Sequence, residues 1–109
     1  MSEPASLYVL LAPEGDLAGN GQLRETISER RNRKGDDTKF WYLSPELVKK
    51  FQLPGIDCEA VVTDELTAIN WLSLRFGGEI VVADLDIDQL REYANALPPS
   101  PLIRDISSD

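Results

Sequence analysis

The sequence predicts one α/β domain in which four strands alternate with helices. Four short apolar runs have the length of buried strands, at residues 7–12, 40–43, 60–63 and 79–83. Each run is followed by a helical pattern, with turn residues in between. A chain of 109 residues is long enough to bury one core without a disulfide or a metal. We therefore assign residues 1–97 to one globular domain and the proline-rich stretch 98–109 to a mobile C-terminal tail.

The first strand and the first helix are separated by a glycine-rich loop. Residues 7–12 (LYVLLA) are apolar throughout and far too short to span a membrane, so they predict a buried strand. The stretch 13–21 (PEGDLAGNG) is rich in turn residues and predicts a loop. A helix is expected over residues 22–34, ended by Gly35 in the position that glycine favours beyond a helix C-terminus.

The second strand leads directly into a capped helix. Residues 40–43 (FWYL) are apolar on both alternating faces, which predicts a strand in the interior of the sheet. Ser44 can cap the free amides of the next helix, and Pro45 suits its first position because the missing N–H needs no partner there. This short helix is expected to end before residues 53–55 (LPG).

A longer helix connects the third and fourth strands. Residues 60–63 predict the third strand, and Asp64 is expected to cap a helix that runs to Phe76. The glycine pair 77–78 ends this helix, and residues 79–83 predict the fourth strand.

The last helix has the most complete set of start signals. Asp86 is its expected N-cap, Gln89 can complete a capping box, and Leu85 can pack against Leu90 across the helix start. The apolar stripe has helical spacing and consists of Leu90, Tyr93, Ala94 and Leu97. The helix is therefore predicted to reach residue 97, where prolines stop it.

Charge is distributed unevenly along the chain. The net charge is −8, with eight acids and eight bases up to residue 56 and eleven acids against three arginines after it. Five bases lie close together, namely Arg30, Arg31, Arg33, Lys34 and Lys39. They are interpreted either as cations that favour a helix C-terminus or as a docking patch for an acidic protein surface. The acidic body argues against nucleic-acid binding, which requires a broad basic surface.

The residues that usually carry catalysis are scarce. The chain has no histidine, which removes the commonest general base and metal ligand. Its one cysteine, Cys58, stands between Asp57 and Glu59, whose carboxylates disfavour a thiolate. The aspartates of segment 84–88 (DLDID) lack the glycine and the glutamate of a calcium loop. We therefore expect no enzyme activity, no metal and no cofactor.

Aromatic residues supply the candidates for a binding surface. Phe40 and Trp41 are neighbours in a strand, so they point to opposite faces and one of them could lie near a surface. Trp71 lies off the apolar stripe of its helix, together with Leu74 and Arg75. That helix is either covered on two sides, with Trp71 beneath the last helix, or presents a tryptophan–arginine surface of the kind that anchors protein interfaces.

Two blocks of the chain resemble the low-chlorophyll-accumulation family of cyanobacteria and plastids. In residues 23–43, Glu29-Arg30 is followed by basic residues and then by Phe40-Trp41; in residues 60–78, VVTD leads into the pattern IxWLxLR. That family is the auxiliary subunit of the aerobic cyclase that closes the fifth ring of chlorophyll on magnesium-protoporphyrin monomethyl ester. The resemblance covers nearly the whole body up to residue 78. It implies an α+β sandwich with a four-stranded, largely antiparallel sheet and helices packed around it, whereas alternation alone favours parallel strands.

The resemblance also implies a function, which is to bind and stabilise the catalytic subunit of the di-iron cyclase without catalysing a reaction. By position, Phe40 and Arg75 match family residues on the surface that holds this subunit. The other expected partner-binding residues are Lys39, Arg30, Arg31, Trp41 and Trp71.

The chain departs from the family pattern in several places. Lys39 stands where family members usually have an acid, the stretch between Leu43 and Ala60 is shorter, and the chain continues past Gly78 into a further strand and helix. Two alternatives therefore stay open: a regulatory relative with a different partner, and a module that binds a tetrapyrrole peripherally. A lone cysteine and the lack of a signal peptide or membrane span predict a cytoplasmic location, or one peripheral at the thylakoid membrane or in the plastid stroma.

Overall fold

The computed structural model describes residues 4–17, 21–34 and 38–97. The elements in this part of the chain are β1 (Pro4–Pro13), α1 (Gly21–Lys34), β2 (Phe40–Leu43), α2 (Pro45–Lys50), β3 (Cys58–Thr63), α3 (Leu66–Phe76), β4 (Glu79–Asp86), α4 (Ile87–Tyr93) and β5 (Asn95–Leu97). The predicted helix end at Gly35 and the proline-rich tail fall outside the described residues.

The strands form one antiparallel sheet in the order β4-β1-β3-β2-β5. The α+β class with an antiparallel sheet agrees with the expectation from the resemblance, and the parallel arrangement that alternation favours is wrong. The sheet has one strand more than the four expected. Strand β2 lies in the interior, as its apolar sequence predicts, because β3 flanks it on one side and β5 on the other.

Helices cover both faces of the sheet. Helices α1 and α3 share one core with the sheet through Ile27 and Ile69, while α2 and α4 share the other through Val48 and Leu90. Alternation along the strands divides the remaining core residues between the two faces. The result is a sheet buried on both sides, with apolar side chains pointing both ways from the same strand.

The fifth strand replaces the predicted end of the last helix. Helix α4 stops at Tyr93, and Ala94 leaves it with extended backbone angles, φ −90° and ψ 157°. Leu97 then pairs with Phe40 of β2 and is buried on the α1–α3 side, opposite to Leu90. The predicted stripe is therefore wrong from Ala94 onward, because residues 95–97 pair with β2 instead of continuing the helix.

Two of the three predicted N-caps agree with the structure. Ser44 accepts a 3.4 Å hydrogen bond from the Leu47 N–H, and Asp86 accepts one of 2.9 Å from the Asp88 N–H. Asp64 does not cap α3, since this helix begins at Leu66 and has Glu65, without a side-chain bond, at its N-cap position. None of the described helices is both long enough and apolar enough to cross a membrane.

Candidate functional site

The most distinctive surface arrangement is a tryptophan between two arginines. The guanidinium carbon of Arg30, on α1, lies 4.9 Å from the centre of the Trp71 ring, and that of Arg75 lies 5.3 Å from it. Arg75 is one helical turn beyond Trp71 on α3, where the two side chains can meet. Both contacts fall within the range of a cation–π attraction. Together with the neighbouring Leu74, these residues form what we call the Trp71 surface.

The sequence of α3 explains why this surface exists. Ala68, Ile69 and Leu72 are buried against the sheet. Trp71 and Arg75 lie on the flank of the helix that faces α1, and Leu74 points away from the core with 88% of its side chain exposed. The tryptophan–arginine surface considered from the sequence is therefore present. The placement of Trp71 beneath the last helix is wrong, because α4 packs on the opposite face of the sheet.

A polar groove adjoins the Trp71 surface. It has a volume of about 510 Å³ and is lined by Gln22, Glu25, Thr26, Ser28, Glu29, Asn32 and Arg75. All but the last belong to α1, where Thr26 is buried and the other five are exposed or half-buried. The groove thus sets two carboxylates and several amide and hydroxyl groups opposite one guanidinium, which suits polar contacts with another molecule.

The aromatic pair of β2 is not at the surface. Phe40 is only 1% exposed and packs in the core beneath α1 and α3, and Trp41 is 6% exposed in the core on the other face. Their opposite orientations agree with strand alternation, but the expectation that one lies near a surface is wrong. Helices on both faces of the sheet cover them both. Trp41 and Trp71 consequently lie on opposite faces and do not line a common site for a tetrapyrrole.

The basic residues of the first block have different environments. Arg30 is buried against Trp71 with 9% exposure. Arg31 donates hydrogen bonds from its Nη2 to the carbonyl oxygens of Thr38, at 2.7 Å, and Leu97, at 3.2 Å. Lys39 is exposed and immediately precedes β2. The two arginines therefore stabilise the fold from within, and of the basic residues predicted from this block Lys39 has an exposed side chain.

Of the seven residues predicted to bind a partner, three meet in one place. These are Arg30, Trp71 and Arg75. Phe40 pairs with Thr63, just before α3 begins, whereas Arg75 lies near the end of α3. At a rise of 1.5 Å per residue, this separates Arg75 from the Lys39 end of the sheet by roughly 14 Å along α3.

The sequence patterns do not identify Glu59 as a buried hydrogen-bond acceptor, although the structure shows it to be one. Glu59, on β3, is fully buried, and its Oε2 accepts hydrogen bonds from the N–H groups of Gly15, at 3.0 Å, and Leu17, at 2.5 Å. Its Oε1 accepts a hydrogen bond from the Tyr42 hydroxyl. Alternation could have identified it, because Glu59 shares a strand face with the buried Val61.

This arrangement changes the acidity of the tyrosine. Burial, then the hydrogen bond to Glu59 and the charge of Glu59, raise the pKa of Tyr42 well above its usual 10.0.

The side chains of Glu59 and Cys58 lie on opposite faces of β3, and Cys58 packs against the α2–α4 core. The adjacency of these two residues in the sequence therefore does not make their side chains neighbours.

Among the residues that the structure describes, no three histidine, cysteine, aspartate or glutamate side chains are grouped so as to hold a metal ion. Comparison of the chain with protein-family profiles, with curated proteins and with solved structures gave no match.

Proposed function

We propose that this chain is a non-catalytic auxiliary protein that binds and stabilises the catalytic subunit of the aerobic magnesium-protoporphyrin monomethyl ester cyclase. The resemblance of the two sequence blocks supplies the identity of the partner. As the place of contact we propose the Trp71 surface. The observation that carries this proposal is the exposed guanidinium of Arg75 against the Trp71 ring, since tryptophan and arginine are enriched among the residues that dominate protein interfaces.

The Trp71 ring holds the Arg75 guanidinium in a position from which it can bind a partner. It restricts the guanidinium on one side and leaves its N–H groups available to an acceptor, and Arg75 forms no ion pair with the described residues. A guanidinium in this state binds a carboxylate with two parallel hydrogen bonds. On the partner we therefore propose a carboxylate opposite Arg75 and an apolar pocket opposite Leu74, each contributing about 2 kcal/mol when buried.

Phe40 has an indirect role in this proposal. Its side chain lies in the same core cluster as Ile27 of α1 and Ile69 of α3. It therefore sets the relative position of the two helices that carry Arg30 and Trp71. The family position that Phe40 matches belongs to the partner-binding surface, and we propose that here it supports this surface from below.

The test is binding of the purified chain to the purified cyclase catalytic subunit. We expect saturable binding that weakens about tenfold or more in Leu74→Ala and in Arg75→Ala. Tyr93→Ala is the matched control, because Tyr93 is an exposed apolar side chain on α4, on the other side of the sheet. The control should bind like the unaltered chain.

Two outcomes would count against the proposal in different ways. If the catalytic subunit does not bind at all, the partner is wrong, and capture of another protein that is lost in Arg75→Ala would favour the regulatory relative. If the catalytic subunit binds equally well to both variants, the partner stands but the contact lies elsewhere on the fold.

A further inference from the structure

Strand β4 forms an open edge of the sheet. Its eight residues, Glu79–Asp86, pair with β1 on one side. No other strand in the described ranges pairs with its second side, and the opposite edge of the sheet is formed by β5, which has only three residues. An unpaired strand presents a row of free N–H and C=O groups to which another strand can be added.

The β4 edge lacks most of the features that usually prevent such pairing. Its register with β1 is continuous from Pro4 opposite Asp86 to Leu11 opposite Glu79, so no bulge interrupts it. The strand contains no proline, no glycine and no basic residue. Natural edge strands are commonly short, bulged, or carry lysine or proline. The β4 edge is instead long and regular, and its charges are all negative.

The side chains at the centre of β4 are suited to contact with an added strand. Val82 is 63% exposed on the face that carries α3, and its neighbours Val81 and Ala83 are half-buried on the opposite face. A strand laid beside β4 would place its own side chains next to these on both faces, at cross-strand contact distance. The centre of the edge is therefore apolar on both sides.

The charges at the ends of β4 decide which strand fits. Two copies paired through β4 would bring three carboxylates from each copy, those of Glu79, Asp84 and Asp86, to one seam with no basic residue on either strand. Like charges gathered in this way repel one another. The acidic second half of the chain adds repulsion of the same sign. A second copy is thus disfavoured, and a basic strand is attracted.

We propose that the β4 edge binds an extended segment of a partner protein that is rich in lysine or arginine, which adds to the sheet as a sixth strand. The backbone hydrogen bonds give the affinity, the apolar centre accepts β-branched side chains, and the carboxylates of Glu79, Asp84 and Asp86 select the basic residues at either end. The inference does not depend on the cyclase, because the Trp71 ring faces α1 and not this edge.

The test uses two synthetic peptides and the full chain. The peptide acetyl-KTKVVTVK-amide places lysines opposite the acids of β4 in an antiparallel pairing, and acetyl-ETEVVTVE-amide has the same shape with acids. We expect saturable binding of the basic peptide, at least about tenfold tighter than the acidic one and weaker at high salt. Amide hydrogen exchange followed by NMR should slow at β4 on binding.

Charge reversal on the edge provides the decisive variant. In Glu79→Lys/Asp84→Lys both changed side chains are exposed, and Asp86 is retained because it caps α4. The preference should reverse, so that the acidic peptide binds about tenfold tighter than the basic one. The matched control is Glu46→Lys/Glu92→Lys, which changes the net charge equally at exposed positions of α2 and α4. If the edge variant does not fold, Val82→Lys alone should weaken the basic peptide.

Several results would overturn the proposal. These are the absence of saturable binding, slowed exchange away from β4, and an unchanged preference in the edge variant. A reversal produced equally by the control variant would show that net charge alone acts. Protection of β4 amides in the free chain that disappears on dilution, or on removal of residues 98–109, would assign the edge to a second copy or to the tail.

Discussion

The hydroxyl of Tyr42 on β2 donates a hydrogen bond to the fully buried carboxyl group of Glu59 on β3, 2.5 Å away. The other oxygen of that group accepts the N–H groups of Gly15 and Leu17, which lie in the loop before α1. A buried carboxyl group is costly unless it is hydrogen-bonded. Three donors from two parts of the chain offset that cost and fix the loop to the sheet.

Replacing Glu59 by leucine should lower the free energy of unfolding by about 3 kcal/mol, because the N–H groups of Gly15 and Leu17 and the Tyr42 hydroxyl lose their acceptor. Glu59→Gln should cost only about 1 kcal/mol, since its amide can still accept from the loop and donate to Tyr42. Urea unfolding at neutral pH measures both. Glu92→Leu, at an exposed site on α4, is the control and should change little. Equal stability of Glu59→Leu and the unaltered chain would contradict this role.

The raised pKa of Tyr42 makes stability depend on alkaline pH. Below its usual value of 10.0 the hydroxyl is protonated in both the folded and the unfolded chain, so its contribution is fully present. Above that value the unfolded chain releases the proton while the folded chain retains it, and stability falls as pH rises. Tyr42→Phe should lower the free energy of unfolding by about 1 kcal/mol at neutral pH. It should also reduce the decrease in that free energy between about pH 9 and 11.

The measurement for Tyr42 is the free energy of unfolding across that alkaline range. Tyr93→Phe serves as the control, because Tyr93 is exposed and the substitution keeps the ring under Lys50. Its curve should follow that of the unaltered chain. Parallel curves for all three proteins would show that Tyr42 does not contribute to the alkaline dependence.

The sequence predicts those features of the fold that depend on near neighbours. Ser44 and Asp86 cap their helices as expected, since a cap is decided within three residues. The fate of Leu97 could not be predicted in this way. Its spacing from Leu90 fits a helix, but the unpaired edge of β2 offered hydrogen bonds that only the folded sheet reveals.

In the candidate site, too, the features that depend on near neighbours follow from the sequence, and those that depend on tertiary packing do not. The positions of Trp71 and Arg75 off the apolar stripe follow from the period of the helix. The contact of Trp71 with Arg30 does not, because it depends on how α1 and α3 pack. Alternation sends Phe40 and Trp41 to opposite faces and predicts that one of them could lie near a surface, but a sheet covered on both faces buries both. The donors to Glu59 are likewise contributed by distant segments.

Gly78 is expected to be the least replaceable glycine among the described residues. Its φ is +103°, and an added Cβ would lie 2.5 Å from the carbonyl oxygen of Leu11. Gly78→Ala should therefore lower the free energy of unfolding by about 3 kcal/mol through strain and displacement of the β1 backbone. Gly15→Ala isolates the backbone term, because Gly15 has a φ of +100° with open space around it, and should cost about 1 kcal/mol. Thermal unfolding measures both variants. An equal loss of stability in Gly78→Ala and Gly15→Ala would show that the contact with the Leu11 carbonyl oxygen contributes nothing.

Substitution of the two arginines that contact Trp71 should distinguish an effect on folding from an effect on binding. Arg30 is buried, so Arg30→Ala removes packing as well as a desolvated cation–π contact and should cost about 2 kcal/mol. Arg75 is exposed, and Arg75→Ala should cost about 0.5 kcal/mol. Arg91→Ala, which breaks an exposed pair with Asp88 at 3.6 Å, is the control and should be nearly neutral.

Urea unfolding followed by tryptophan fluorescence measures these differences. If Arg75→Ala were as destabilising as Arg30→Ala, Arg75 would be a structural residue, and loss of partner binding in that variant could be attributed to a disturbed fold. If Arg75→Ala keeps its stability while partner binding falls about tenfold, the guanidinium acts at the interface itself. Arg30→Ala then supplies the contrasting case, in which binding falls because Trp71 loses the support of α1.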